Sequence, residues 1–239
     1  MNYNEKINSE HILFLDIETV GAVASYNQLD PQMQLLWSKK ADKIKKDPED
    51  SPEKCYQSAG IFAEFGKIIC ISVAFFKDGL LRIKSFANHD EAQLLQEFTA
   101  LLNTYFSKPY HRLCAHNGKE FDFPYLCRRM LINTISIPYI LNVIGKKPWE
   151  TSFLDTLELW KFGDYKHYTS LELLANIFGI DSPKDDIDGS QVHQIYWENQ
   201  DLDRIAAYCQ KDVLTIAQLY RRYNGLELLS DEQIVVVKN

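Results

Sequence analysis

The sequence predicts a mixed α/β domain built around a central sheet. Residues 11–16 form a short apolar run that ends in carboxylates, which is typical of a buried strand. Residues 67–76 and 80–86 flank a Lys-Asp-Gly turn, which predicts a β-hairpin. Apolar residues recur at helical spacing from Asp90 onward, so helices should follow the hairpin.

The remaining elements follow from the same patterns. A strand at 111–115 precedes a helix that carries Pro124 in its first turn, a favoured place for proline. Residues 21–66 are less regular and are interpreted as an insertion between the first two strands. Residues 234–237 are either a short edge strand or a tail. We expect one domain over residues 1–239, with its core at about 11–222. The predicted helices are 90–106, 121–131, 170–178, 190–198 and 202–223.

Composition excludes several classes of protein. The chain has 239 residues, 46% of them hydrophobic and 25% charged, as in ordinary globular proteins. The five cysteines form no C-x-x-C pair and are expected to be buried apolar residues. The N-terminus lacks the apolar stretch of a signal peptide, and the longest apolar run is far below the ~20 residues of a membrane helix. We therefore expect a cytoplasmic protein with no membrane partner.

The net charge of −7 argues against a protein that coats nucleic acid by bulk electrostatics. It does not exclude an enzyme that acts on nucleic acid, because cations held by carboxylates can supply positive charge where phosphate binds. The six histidines form no zinc-hydrolase pattern, and there is no phosphate-binding loop for ATP.

Three segments carry candidate metal ligands. Asp16 and Glu18 are two apart at a predicted strand end, so their side chains share a face. Tyr208 and Asp212 are four apart in an apolar-periodic helix, so they also share a face. Asp122 begins a helix after a strand. Taken singly, each segment more often has a structural explanation. A D-x-E at a strand end is commonly solvated, a spacing of four is common by chance, and Asp122 can simply stabilise a helix N-terminus.

Together and in this order, the segments resemble the motifs of the DEDD superfamily of 3′→5′ exonucleases. These are Phe-Leu-Asp16-Ile-Glu18-Thr, Asn117-x-x-x-Phe121-Asp122 and Tyr208-x-x-x-Asp212, the last marking the tyrosine branch. Weaker similarities, such as Glu64-Phe-Gly-Lys-Ile, favour the group related to the exonuclease domain of family B DNA polymerases. The resemblance implies an RNase H-like fold with a mixed five-stranded sheet flanked by helices.

The resemblance also implies the chemistry. Two divalent ions, Mg²⁺ or Mn²⁺, would activate a water and stabilise the leaving oxygen, and such hard ions prefer carboxylate ligands. The implied metal ligands are Asp16, Glu18, Asp122 and Asp212. Tyr208 would orient the attacking water, since a phenol with a pKa of about 10 is a poor base at neutral pH. The implied residues that bind the 3′-terminal nucleotide are Thr19, Val20, Asn117 and Phe121.

The substrate and partners remain alternatives. The choice of DNA as the substrate, with a single strand favoured, rests on the resemblance alone. The alternative substrates are RNA or oligonucleotides. Another alternative is a non-catalytic nucleic-acid-binding protein of this fold. Whether a polymerase or repair protein is a partner is likewise left open. Two groups of residues are either solvated or line the path of a nucleic-acid strand. The first is the lysines between 39 and 46, and the second is Lys161, Tyr165, Lys166, His167 and Tyr168. Asp155 is either a helix cap or a carboxylate that supports the site.

Overall fold

The structure is a computed structural model that describes residues 8–164, 168–180 and 187–237. Its centre is a six-stranded mixed sheet with the order β5-β4-β1-β2-β3-β6. The strands are β1 (Ile12–Gly21), β2 (Gly66–Lys77), β3 (Leu80–Ala87), β4 (Arg112–Ala115), β5 (Leu154–Asp155) and β6 (Ile234–Val236).

The sheet has one more strand than the five that were predicted. β6 pairs in parallel with the edge strand β3, which identifies residues 234–236 as an edge strand. β1 runs antiparallel to β2 and parallel to β4, and β5 is parallel to β4. The order and directions of β1–β5 form an RNase H-like sheet, as expected. β1 therefore lies inside the sheet, where neighbours on both sides fix its position.

Most predicted helices are confirmed within one or two residues. The helices are α1 (Pro31–Ile44), α2 (Pro52–Cys55), α3 (Glu91–Tyr105), α4 (Asp122–Ile132), α5 (Thr156–Lys161), α6 (Leu171–Ile177), α7 (Val192–Gln194) and α8 (Leu202–Tyr223). The helix predicted at 190–198 is present over residues 192–199, but it is not a regular α-helix: α7 has three residues and continues as a π-helix, Ile195–Asn199. A π-helical turn of this kind is often found near functional sites.

The two faces of the sheet bury different helices. Leu13, Leu15 and Ile17 of β1 pack in the core formed with α3 and α4. Ile12 and Phe14 point to the other face and pack against α8. Because side chains alternate along a strand, Asp16 and Glu18 continue the face that α8 covers. The alternation thus directs both carboxylates toward the helix that carries Tyr208 and Asp212.

Residues between β1 and β2 form helices around a small core of their own. Trp37, Tyr56 and Phe65 make edge-to-face ring contacts there, and Trp37 is completely buried. The interpretation of this segment as an insertion between strands agrees with its place in the chain. Lys39, Lys43 and Lys46 are exposed, Lys39 and Lys43 on α1 and Lys46 just beyond its C-terminus. No helix within the described ranges is both long and apolar enough to cross a bilayer.

Candidate active site

The strand β1 brings two carboxylates to the centre of the molecule. The pairing of β1 with β2 shifts register between Glu18 and Thr19. Such irregularities redirect the chain and are common beside active sites. Asp16 lies before this point and is partly buried, and Glu18 is only 7% exposed.

Helix α8 faces these carboxylates with three functional groups. The Cys209 thiol donates to Asp16 Oδ2 at 3.3 Å and lies 3.5 Å from the Asp16 carbonyl oxygen. Tyr208 hydrogen-bonds to Asp212 one turn later on the same helix. The charge of Asp212 acts on both Asp16 and Glu18. The i, i+4 spacing predicted from the sequence therefore places Tyr208 and Asp212 on the face that meets β1.

The third segment places Asp122 at the start of α4. Its carboxylate is 4% exposed and accepts a hydrogen bond from the backbone of Ile17 in β1. The preceding loop is held by Asp155, whose carboxylate accepts from the backbone N–H groups of Asn117 at 2.9 Å and Lys119 at 3.0 Å. Asp155 also caps α5, so both roles considered for it are present. It fixes the loop that leads to Asp122.

The electrostatics of the site are those of repelled carboxylates. Burial, followed by the charges of Asp212, Glu18 and Asp122, holds the pKa of Asp16 well above its usual range. Burial and Asp212 raise the pKa of Glu18 in the same direction. Burial is also the main cause that raises the pKa of Asp122, to about 7. The charged neighbours that act on Asp16 and Glu18 are acids rather than bases. Each carboxylate would be stabilised by a nearby cation.

The donor set fits a hard divalent cation. Three potential ligand atoms lie within 4.8 Å of one another. They are a carboxylate oxygen of Asp16, a carboxylate oxygen of Glu18 and the Cys209 sulfur. Asp122 and Asp212 are outside this trio and act on it through their charges. Carboxylate oxygens are the ligands that Mg²⁺ and Mn²⁺ prefer, so the four predicted acids are chemically suited to hold such ions.

The predicted nucleotide-binding residues differ in how accessible they are. Asn117 is partly exposed and has a left-handed backbone with a φ of 58°. Thr19 is partly exposed, and its side chain hydrogen-bonds to Tyr125. Val20 is completely buried, so only its backbone is suited to contact a ligand. Phe121 is partly buried, with its ring 5.3 Å from that of Tyr125.

Sequence reasoning missed three contributors near the site. Cys209 was treated as an ordinary buried apolar residue, although its thiol donates to Asp16. Its position beside Tyr208 in the motif was the available indication. His193 Nδ1 accepts from the Gly21 backbone N–H at 3.2 Å, and Trp197 Nε1 donates to the Gly21 carbonyl at 3.2 Å. His193 and Trp197 fix the C-terminal end of β1, and no sequence pattern indicates that contact.

Other sequence candidates lie beside the site or outside the described residues. Tyr165, Lys166 and His167 belong to residues that the structure does not describe. Tyr168 is 68% exposed. Its pKa is raised mainly by partial burial of the hydroxyl and, to a smaller extent, by the charges of Asp155 and Asp122.

Comparison with known proteins identifies the family. Residues 61–234 match the model of a family described as predicted 3′→5′ exonucleases related to the exonuclease domain of PolB. The chain belongs to this family. The matched residues include Asp122, Tyr208 and Asp212, whereas Asp16 and Glu18 precede them. The structure adds these two acids, because β1 lies between β2 and β4 of the matched region.

The chain is also similar to a solved family B DNA polymerase from the hyperthermophilic archaeon Pyrobaculum calidifontis. The two are 16% identical, with a TM-score of 0.48, and the similarity covers 86% of this chain and 24% of the polymerase chain. The chain thus spans about a quarter of that polymerase's length. Comparison with curated protein sequences gave no significant match.

Proposed function

We propose that this chain is a metal-dependent 3′→5′ exonuclease that removes nucleotides from the 3′ end of DNA, with a single strand as the favoured substrate. The observation that carries the proposal is the convergence of acids from three separate elements: Asp16 and Glu18 on β1, Asp122 on α4 and Asp212 on α8. Glu18 and Asp122 are buried, and the other two are partly buried. Membership of a family of predicted exonucleases agrees with it.

Asp16, Glu18, Asp122 and Asp212 would hold the ions. Divalent ions bound there supply an activated water and charge stabilisation at the phosphate. The protein's part is to hold the carboxylates close together, where bound cations would favour their ionised form. Asp16 is the central ligand in this proposal, because the charges of the other three all act on it. Fixing the acids on a strand and two helices holds them in place before substrate binds.

Tyr208 is proposed to position the attacking water rather than to deprotonate it. Burial and the charges of Asp212, Glu18 and Asp16 raise its pKa far above the usual value, so the phenol keeps its proton. A protonated hydroxyl that donates its one proton to Asp212 can still accept from a water beside that carboxylate. Partly exposed Thr19 and Asn117, with the Val20 backbone and Phe121, are proposed to contact the terminal nucleotide.

The proposal is tested by digestion of 5′-labelled single-stranded DNA and RNA with Mg²⁺, Mn²⁺ or EDTA. We expect a ladder that shortens from the 3′ end, requires metal and runs faster on DNA. Asp16→Asn should abolish it. Asp203→Asn, which changes an exposed carboxylate of α8, should leave it intact.

Faster digestion of RNA would keep the enzyme but change the substrate. No cleavage with either metal, by a folded protein that still binds the strand, would leave a non-catalytic binding protein and refute the proposal.

A further inference from the structure

An apolar groove, here called the α4 groove, lies between α4 and residues 137–153. It encloses about 320 Å³, at the small end of the pocket sizes that hold ligands, about 300–1,000 Å³. Its open sides are aliphatic: Leu131 is 59% exposed and Ile144 is 77% exposed. Apolar side chains left in water at this scale commonly mark a contact surface.

The charged residues that line the α4 groove are all cations: Lys119, Arg128 and Lys146. Lys119 pairs with Glu158 at 2.5 Å. Arg128 and Lys146 are exposed, and within the described residues neither forms an ion pair. The lining includes no carboxylate, although the whole chain has a net charge of −7. The groove is therefore complementary to a ligand that combines an apolar group with negative charge.

Two classes of ligand meet that description: a nucleic-acid strand and an acidic peptide. Single strands are usually held by stacking bases on exposed aromatic rings. The aromatic residues of the α4 groove are Phe123 and Phe153, which are 1% and 5% exposed and lie against each other with ring centroids 4.3 Å apart. Neither of these rings has a free face, and the exposed rings of the bounding segment, Tyr139 and Trp149, do not line the groove. The aliphatic walls suit a protein side chain. The chemistry favours the peptide.

We propose that the α4 groove binds a segment of a partner protein that carries a bulky apolar residue flanked by carboxylates. The apolar residue enters between Leu131 and Ile144, and the carboxylates lie near Arg128 and Lys146. Buried apolar anchors supply most of the affinity of such contacts, and charges at the rim supply rate and specificity. Since α4 begins at Asp122, and Phe123 and Pro124 line the groove, the partner is held next to the carboxylate site. This inference does not depend on nuclease activity.

The test measures fluorescence anisotropy of a fluorescein-labelled hexapeptide with a central leucine–phenylalanine pair between two pairs of aspartate. One control peptide replaces the aspartates by serine, and another replaces the apolar pair by serine. We expect saturable binding of the first peptide and at least tenfold weaker binding of both controls. High salt should also weaken the binding, because exposed charges are screened.

Matched variants locate the binding site. Leu131→Asp should weaken binding about tenfold or more, as loss of a central anchor does. Arg128→Glu should weaken it and reduce its salt dependence. Leu35→Asp is the control, because Leu35 is similarly exposed, at 54%, on the distant helix α1. Binding by Leu35→Asp should equal that of the unchanged protein.

Several outcomes overturn the proposal. These are absence of saturable binding, equal binding of the serine peptides, or undiminished binding by Leu131→Asp. Displacement of the peptide by an oligothymidylate whose own affinity falls in Leu131→Asp would assign the groove to nucleic acid. A dimer in sedimentation that Leu131→Asp abolishes would assign it to a second copy of the chain. Each readout is independent of strand cleavage, so failure here is distinct from failure of the proposed function.

Discussion

Two buried glutamates, Glu91 and Glu18, are almost equally hidden, at 8% and 7% exposure, but have opposite electrostatic surroundings. Glu91 accepts from Arg129 through both oxygens, at 2.8 and 2.5 Å. It also accepts from the Ile68 backbone at 2.7 Å and from Asn133 at 2.9 Å. Its negative charge is fully compensated by the protein.

Among the residues that the structure describes, no base forms an ion pair with Glu18. The charges that act on it most are those of Asp212 and the neighbouring Cys70 and Asp122, and all of them raise its pKa. The comparison separates two uses of a buried acid. Glu91 links α3 to α4 and β2 through hydrogen bonds. Glu18 lies among other acids, and a bound cation would reduce the repulsion between them. An uncompensated buried acid that the fold retains is a mark of function rather than of stability.

The largest effect should come from Glu18→Gln, which removes one charge from the proposed metal site. We expect nuclease activity to fall roughly 10³-fold, since the transition state loses charge stabilisation. The metal-free protein should become more stable, because repulsion between acids is reduced. Digestion assays and thermal unfolding in EDTA measure the two effects. Lower stability of this variant would contradict the comparison.

The same substitution at the other site, Glu91→Gln, should have the opposite effect on stability. It leaves Arg129 buried with a charge that is no longer balanced, which typically costs about 3–5 kcal/mol. The free energy of unfolding from urea titration is the measurement. Adding Arg129→Met to this variant should restore much of the loss, and activity per folded molecule should be retained. Unchanged stability of the single variant would show that Glu91 is not compensated as described.

A smaller effect is expected from Tyr208→Phe, which removes one hydroxyl beside Asp212. We expect the turnover rate to fall about 10- to 100-fold, less than for loss of a charge-stabilising group. Stability should change by less than about 1 kcal/mol, because the ring is kept. Tyr26→Phe on the 3₁₀ turn near α1 is the control. Equal activity of both variants would remove the positioning role from Tyr208.

The smallest effect concerns pH. The pKa of Asp122 is about 7 in the folded protein and about 4 in an unfolded chain. Between these values the folded protein keeps a proton that the unfolded chain has released, so stability falls as pH rises through that range. In EDTA the melting temperature should drop by a few degrees from pH 5 to pH 7.5, since about 1 kcal/mol shifts it by 2–4 °C.

Asp122→Asn should flatten that slope, and Mn²⁺ should restore stability above pH 7. A melting temperature in EDTA that rises over the same range would contradict the raised pKa.

Much of this molecule follows from local sequence. Residues 67–86 form the predicted hairpin because Asp78 and Gly79 both take a positive φ at its turn. Helix α3 begins after Asp90 because the Asp90 side chain caps the helix by accepting from the backbone N–H of Gln93. The spacings Asp16-x-Glu18 and Tyr208-x-x-x-Asp212 likewise fix which side chains share a face, since those periods belong to the backbone itself.

Only the tertiary structure decided what those faces meet. β1 has neighbours on both sides because it pairs with β2 and with β4, a strand about a hundred residues away. The folded chain also brings the Cys209 thiol to the Asp16 carboxylate and the Asp155 carboxylate to the backbone N–H of Asn117. No local sequence pattern encodes these contacts. β6 and the α4 groove also join segments distant in sequence. The physical reason is that periodicity sets the direction of a side chain, whereas its partner depends on burial shared across the whole chain.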